Sequence, residues 1–510
     1  MTLLRDRPAG RPDVEDARRS RRLAARLLDK LTAPVDAASL AIVRMGVGAM
    51  IGWEVWREID SGLLRADYIE PEFNFKWSLF QWVDPLPELG MFVVMGVLAA
   101  AALCVATGLF YRVAAVVQFL GITYWFLLAQ ERYLNHRYLA CVLAFLLILV
   151  PAHSAYSMDA WRKPWLRTRT IPAWSLWLFR LQIGIPYFVG GIAKLNFDWL
   201  ARNEPLAMWL RDRMDFPVIG RYFADDSFVR LMAWGSTLLD LTVVFLMLRK
   251  RTRVVGYGMA VLFHFMNSRL FNIGIFPWTM IVVTTVFFEP DWPRQMVAAL
   301  RRGSLWVRGA MVAGYALGFY IGGALPKTFS PIRALIGGFG VAVIAFHLLP
   351  ARVREAASFS APTGDASPWR RFTFGRRLAW FLVVWTACQL LIPFRHFAIP
   401  GNAHWTDEGN RFSWHMLLRE KLGNVAFVIT DPSTGQEGTV ELRDHLTNFQ
   451  IFKMQETPDM FAQFSHYFED LYQRRYGYGD LEIRLDSVMS LNGRIPQQFV
   501  DPDFDLTTAT

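Results

Sequence analysis

The chain is punctuated by apolar stretches of roughly 17–21 residues, the length a helix needs to cross a ~30 Å hydrocarbon core at ~1.5 Å per residue. They fall at about 38–56, 89–109, 112–129, 135–151, 173–193, 228–248, 254–270, 272–288, 307–325, 331–350 and 377–394. Composition agrees with a membrane reading. Of 510 residues, 53% are hydrophobic and 19% charged, with 40 Phe and 20 Trp, which excludes a disordered chain and a string of soluble domains alike.

The segments between the runs give the chain a direction. Lys and Arg concentrate in alternate segments: Arg162, Lys163, Arg167 and Arg169; Arg249, Lys250, Arg251 and Arg253; Arg294, Arg301 and Arg302; Arg370, Arg371, Arg376 and Arg377. The polar arm 1–34, with Arg18, Arg19, Arg21, Arg22 and Arg26, belongs to the same set, whereas 57–88 is acidic through Asp60, Asp67, Glu70, Glu72, Asp84 and Glu88. The positive-inside rule makes the arm cytosolic, without an export signal, and an odd number of crossings then leaves the C-terminus outside. The net charge of +10 follows from this topology rather than from a nucleic-acid-binding face. Removing 307–325 and 331–350 together preserves the topology, so the expectation is about 9–11 transmembrane helices. Cys104, Cys141 and Cys388 all lie in apolar runs, which excludes a disulfide framework and a cysteine metal site.

Past residue 395 the pattern changes. Polar residues dominate, Asp431-Pro432-Ser433-Thr434-Gly435 signals a turn, and 424–430 and 481–488 alternate as strands around a helical stretch at 457–475. The expected fold is a mostly α, polytopic helical membrane bundle at 35–394 with a small extramembrane α+β domain at 395–510.

Two charges sit deep in apolar runs. Arg180 and Asp240 lie about seven and eight residues from the cytosolic ends of consecutive antiparallel helices, so they fall at similar depth and are expected to pair, with Arg44 nearby. A structural clamp is the plain reading; a proton relay is the alternative.

Three polar constellations gather at the outer helix ends: Arg132-Tyr133-Leu134-Asn135-His136, Gly190-Gly191-Ile192-Ala193-Lys194-Leu195-Asn196-Phe197-Asp198-Trp199, and His264-Phe265-Met266-Asn267-Ser268-Arg269. Read singly, Lys194 snorkels to water, Asn135 and His136 begin a helix, and His264 makes an interhelical hydrogen bond. Read together, Gly190 and Gly191 let a neighbour or flat ligand approach the backbone beside Lys194. An apolar pocket would favour a neutral amine there, while Asp198 one turn on would favour the ammonium. No metal-ligand spacing, Gly-rich phosphate loop or nucleophile elbow is present.

At these residues the chain resembles the vitamin K-dependent γ-glutamyl carboxylases and their bacterial relatives of the horizontally transferred transmembrane domain family. The strings are Arg180-Leu181-Gln182, Tyr187 through Trp199, Leu238-Leu239-Asp240-Leu241 and Phe263 through Gly274, followed by Trp405, Phe412-Ser413-Trp414, Ser490 through Arg494 and Phe499-Val500-Asp501-Pro502. The resemblance implies a membrane enzyme that couples oxygenation of a reduced vitamin K or menaquinol-type hydroquinone, to its epoxide, with carboxylation of glutamyl side chains, using O₂ and CO₂ and no metal. It implies Lys194 as the base on the hydroquinone and His136 as the residue assisting at the glutamyl carbanion. It further assigns quinone or substrate contacts to Asn135, Tyr138, Gly190, Gly191, Trp199, His264, Asn267, Ser268, Trp405 and Trp414. Expected partners are the lipid bilayer, an isoprenoid quinone and a Glu-containing peptide or protein, with no nucleic acid. The expected location is a bacterial inner membrane with the C-terminal domain outside. The alternatives are a quinol epoxidase without protein carboxylation and a non-enzymatic transporter or scaffold.

Overall fold

A computed structural model describes Arg19, Arg22 and residues 25–323, 330–356, 375–477 and 481–509. Most of the basic arm, including Arg18 and Arg21, and the pair Arg370 and Arg371 lie outside the described residues. Among those described, a helix stands at each of the eleven apolar runs: α1 (Ala38–Asp60), α2 (Glu88–Thr107), α3 (Tyr111–Leu127), α4 (Asn135–Leu149), α5 (Trp174–Ala193), α6 (Asp226–Leu248), α7 (Arg253–Leu270), α8 (Phe276–Val283, continued by a tighter turn at Thr284–Phe287), α9 (Leu305–Gly323), α10 (Pro331–Leu348) and α11 (Arg376–Leu391, continued by Ile392–Ala398). Six of them, α1, α2, α5, α6, α10 and α11, are long and apolar enough to cross a bilayer unaided. Helices α3, α4 and α8 are apolar but shorter; at ~1.5 Å per residue they fall short of a ~30 Å core and depend on their neighbours.

Burial ranks the helices. Within its most apolar window α1 is 78% buried against 11% for α11, so α1 is the central post and α11 a peripheral one. The central position demands that α1 shed bulk, and Gly48 does so: a Cβ there would lie 2.6 Å from the carbonyl oxygen of Ala102 on α2. Arg44, buried on α1, donates to the carbonyls of Val105 (2.7 Å), Ala106 (2.9 Å) and Tyr156 (2.5 Å), satisfying a guanidinium that bilayer would leave bare.

The connecting segments collect at two opposite ends. At one, β1 (Pro34–Asp36) pairs antiparallel with β2 (Thr170–Pro172), Arg294 Nε reaches Asp36 at 2.9 Å, and Arg253 meets Glu289 at 2.9 Å. Asp159 accepts from the backbone N–H groups of Phe110 and Tyr111 at the start of α3, an anion where the helix dipole favours one. At the other end sits the C-terminal domain. Its antiparallel sheet of β3 (Lys421–Asp431), β4 (Gln436–Thr439), β5 (Glu482–Leu491) and β6 (Gln497–Gln498) runs in the order β4-β3-β5-β6 and packs on α12 (Asn448–Gln455) and α13 (Pro458–Tyr476). The alternating face of β5 buries Ile483 and Leu485 against Phe461, Phe464 and Phe468, and the α1–α2 segment adds Phe75 to that core.

One expectation about register fails. Arg180 does not meet Asp240; its guanidinium donates to the carbonyls of Val286 (2.9 Å) and Phe288 (3.0 Å). The register of α5 on α6 is fixed instead by Gly191, where a Cβ would lie 2.8 Å from the backbone nitrogen of Leu241. That close approach slides residues 190–191 to the level of 240–241, about ten residues or ~15 Å from the alignment that equal helix ends would give. Lys194 therefore arrives where Arg180 was expected.

Candidate active site

Lys194 caps the C-terminal end of α5 and is buried, 7% exposed. Its Nζ donates to Asp240 Oδ2 at 2.6 Å and lies 5.4 Å from the ring centroids of both Trp199 and Phe263. It does not snorkel. Trp199 is itself locked, its indole N–H shared between the carbonyl of Ala233 (3.0 Å) and Thr237 Oγ1 (3.1 Å) on α6. Over Gly190 lie the carbonyl of Trp414, the methyl of Met416 and Asp240 Oδ2, within 3.6–4.0 Å of where a Cβ would stand. The site thus has a carboxylate beside the amine, two aromatic faces and a roof contributed by the segment entering the C-terminal domain.

Asp198, one turn from Lys194, faces elsewhere. Its Oδ1 receives Arg202 (3.1 Å) and Arg494 (2.6 Å), and its Oδ2 receives Asn492 (3.1 Å). Burial alone would raise its pKa; the hydrogen bonds from Arg494, Asn492 and Arg202 outweigh it and hold the carboxyl below the usual range. It ties α5 to the C-terminal domain and leaves Asp240 as the carboxylate on the lysine.

His136 is buried in the first turn of α4, with Nε2 3.4 Å from Glu54 Oε1 on α1. Its neighbour Arg137 donates to Glu58 (2.8 Å) and to the Tyr68 hydroxyl (2.8 Å), and its guanidinium lies 4.2 Å over the Trp125 ring. Gly274, at φ +60°, brings backbone against the imidazole; a Cβ there would stand 3.1 Å from His136 Cε1. His136 and Lys194 have different immediate partners. Trp414 connects them, its ring 5.2 Å from Tyr138 on α4 and its carbonyl over Gly190 on α5.

The other sequence candidates divide. Tyr138 packs against Phe412 (4.9 Å) and Trp414, and Asn135 accepts from the Tyr133 hydroxyl, which in turn accepts the Phe412 N–H (2.8 Å), so α4 and the segment after α11 are stitched together. His264 Nε2 lies 2.7 Å from the Tyr187 hydroxyl, which also meets Thr284 at 3.2 Å. Asn267 is half-buried near the end of α7, and the Ser268 hydroxyl donates to the Phe265 carbonyl of its own helix. Trp405 stays in the C-terminal domain, its ring against Phe499 and its carbonyl bonded to Lys421.

Sequence reasoning overlooked Glu54, Glu58 and Arg137. The signal was present: two carboxylates four residues apart on an apolar helix share one face, and an arginine beside His136 supplies their counter-charge. Ending the first run at 56 hid the second carboxylate. Among the described residues, no group of three or more His, Cys, Asp or Glu is arranged to hold a metal ion.

Two family models match the chain: the HTTM domain over residues 32–292, and the vitamin K-dependent gamma-carboxylase lumenal domain over residues 375–510. No solved structure matches it.

Proposed function

The chain belongs to the HTTM domain family and is a relative of the gamma-carboxylases, and from that premise we propose that it couples oxygenation of a reduced naphthoquinone to carboxylation of glutamyl side chains. The observation that carries this reading is the buried Lys194–Asp240 pair, set against the faces of Trp199 and Phe263 and roofed by Trp414.

No side-chain base, with pKa values up to ~10–13, removes a glutamyl γ-carbon proton in water. A bound hydroquinone supplies a phenol-like hydroxyl, pKa ~10, and the reducing equivalents that O₂ chemistry needs. Lys194 suits such a hydroxyl. A proton hop along the 2.6 Å bond converts ammonium and carboxylate into amine and carboxylic acid with no change in net charge. Nζ then has a lone pair and can take up a proton without either residue leaving the pair. Asp240 is the positioning residue. Trp199, Phe263, Met416 and Trp414 exclude water that would quench a strong base. His136, braced by Glu54 and Gly274, offers a fixed polar group toward the charge that develops on a glutamyl substrate.

The second family, a lumenal domain, supports placing residues 375–510 on the non-cytosolic side. That agrees with the arginine asymmetry of the loops. The membrane would deliver the quinone, and the outer aqueous phase the Glu-containing substrate.

The test is mass spectrometry of quinone products from purified protein supplied with reduced vitamin K, run beside ¹⁴CO₂ incorporation into a Glu-containing peptide. Epoxide and acid-stable label are both expected, and Lys194→Ala should lower both by about 10²–10⁴-fold, the usual contribution of a general base. Undiminished epoxide formation in Lys194→Ala removes the proposed base. Epoxide without label in the intact protein reduces the activity to quinol oxygenation.

A further inference from the structure

A cavity of about 380 Å³ lies between the outer end of α5 and the segment that follows α11. Ile192 and Ala193 line it but Lys194 does not, so it is separate from the ion pair. One wall is apolar, with Val189, Leu195, Phe197, Phe394 and Phe397. Its rim faces outward beside α11, the least enclosed of the long apolar helices: Phe197 is 68% and Phe397 73% exposed. Aromatic and aliphatic side chains so exposed on a membrane helix border acyl chains.

Beside this apolar lining stand three imidazoles, the His396 ring 4.1 Å from that of Phe397. The His415 ring centroid is 4.6 Å from His396 and 5.1 Å from His404. For His396 and His415, hydrogen bonds fix which nitrogen holds the proton. His396 Nδ1 lies 2.9 Å from the Pro393 carbonyl, which can only accept, so Nδ1 carries the hydrogen and Nε2 the lone pair. His415 Nδ1 lies 3.0 Å from Asn410 Oδ1, and the NH₂ of that amide donates to Asp407 at 2.7 Å, so Oδ1 accepts and His415 Nε2 is again a lone pair. His404 Nε2 is buried with no partner among the described residues. Burial pushes His404 down to about 4 and His415 to about 3, so both stay neutral near neutral pH. Asp198 and Arg494, at the far side of the cavity, are occupied with each other.

The cavity therefore offers two acceptors, Nε2 of His396 and of His415, that no donor among the described residues meets. A carboxylate or phosphate would set lone pairs against lone pairs. The ligand that fits donates O–H groups from a flat apolar body and keeps an apolar tail among lipids. We propose that this cavity is a lateral docking site for a lipid-borne hydroquinone, with its hydroxyls donating to Nε2 of His396 and His415 and its isoprenoid tail leaving past Phe197 and Phe397. Only the choice of quinol rests on the function proposed above. The site adjoins the reaction centre, because His415 follows Trp414, the residue that roofs Gly190.

Binding is measured anaerobically by tryptophan quenching in nanodiscs, with an isoprenoid naphthoquinol and the matching quinone, on the full chain carrying Lys194→Ala so that nothing turns over. The reduced form, which has donors, should bind about tenfold tighter than the oxidised form, and His396→Phe with His415→Phe should erase that preference. Equal affinity for the two redox forms, or a preference that survives both substitutions, overturns the proposal. Because these substitutions can perturb folding, a photoactivatable naphthoquinol is applied to the unsubstituted protein as well. Label in peptides covering 189–197 and 394–415 supports the site, and label confined elsewhere overturns it. Redox-selective binding here with no epoxide from the active protein would sink the proposed reaction and leave the docking site standing.

Discussion

Replacing Asp240 by Asn removes a carboxylate 2.6 Å from a buried lysine while keeping the shape of the side chain. At that separation the direct attraction is about 6 kcal/mol with an effective dielectric constant of ~20. The net loss is smaller, because Lys194 can shed its proton and the Asn oxygen can accept one hydrogen bond. Breaking a buried pair from one side typically costs about 3–5 kcal/mol, and that is the expected destabilisation for Asp240→Asn and for Lys194→Met alike. The double variant buries no unpaired charge, so its loss should fall short of the sum by about 2–3 kcal/mol. The assay is equilibrium unfolding in mixed micelles for the intact protein, both single variants and the double variant, with epoxide turnover followed in parallel. Additive losses within about 0.5 kcal/mol would mean that the two side chains do not hold each other, and Asp240 could then not position the amine. Turnover adds a second readout: Lys194→Met should be inactive, whereas Asp240→Asn should keep measurable activity through an amine that is misplaced but present.

Three further expectations follow from the geometry. Gly191→Ala forces a Cβ to within 2.8 Å of the Leu241 backbone nitrogen and should destabilise by about 1–3 kcal/mol with loss of turnover, while Gly235→Ala on α6, with nothing within 4 Å, should be neutral or slightly stabilising by the same unfolding assay. Burial raises Glu131 to about 7, and its carboxyl accepts from Gln450 of α12. Its folded pKa lies above the unfolded value near 4.5, so the stability it contributes is complete below pH ~4.5 and is lost as pH rises through about 7, roughly 3 kcal/mol in all; Glu131→Gln should flatten that part of the stability–pH curve. Arg180→Met leaves the Val286 and Phe288 carbonyls without their donor and should cost about 1–3 kcal/mol per orphaned group, read as lowered yield of folded protein; a fully stable variant would refute the role of those bonds.

The helices were legible because each is a continuous apolar run bounded by charge, and hydrocarbon thickness dictates length before any packing is known. Lys194, His136 and Gly190 were legible as members of polar strings at helix ends, Asp240 as a charge inside an apolar run, and Trp414 through the family resemblance. Pairing was not. Which carboxylate meets Lys194 depends on how far α5 slides along α6, and that is set by a backbone contact at Gly191 that periodicity does not encode. Matching helix ends assumed equal heights, but α6 has 23 residues and α5 has 20, and the steric fit at Gly191 decided the offset. The histidine cluster was hidden for a related reason: His396 lies on the tight turn that continues α11, His404 on a one-turn helix and His415 on the loop after it, all too short to show a period.

Trp414 has a consequence for how such a protein comes into being. It belongs to the stretch translated after the eleven apolar helices, yet it is wholly enclosed and roofs Gly190, one turn from the lysine of the fifth of them. A ribosome that has released only the first eleven helices has made a lysine with no ceiling. The centre closes late in synthesis, when the sheet behind Trp414 has folded onto the earlier loops. A chain that stops short of Trp414 lacks the roof over Gly190, a contact that joins the two regions matched by separate family models.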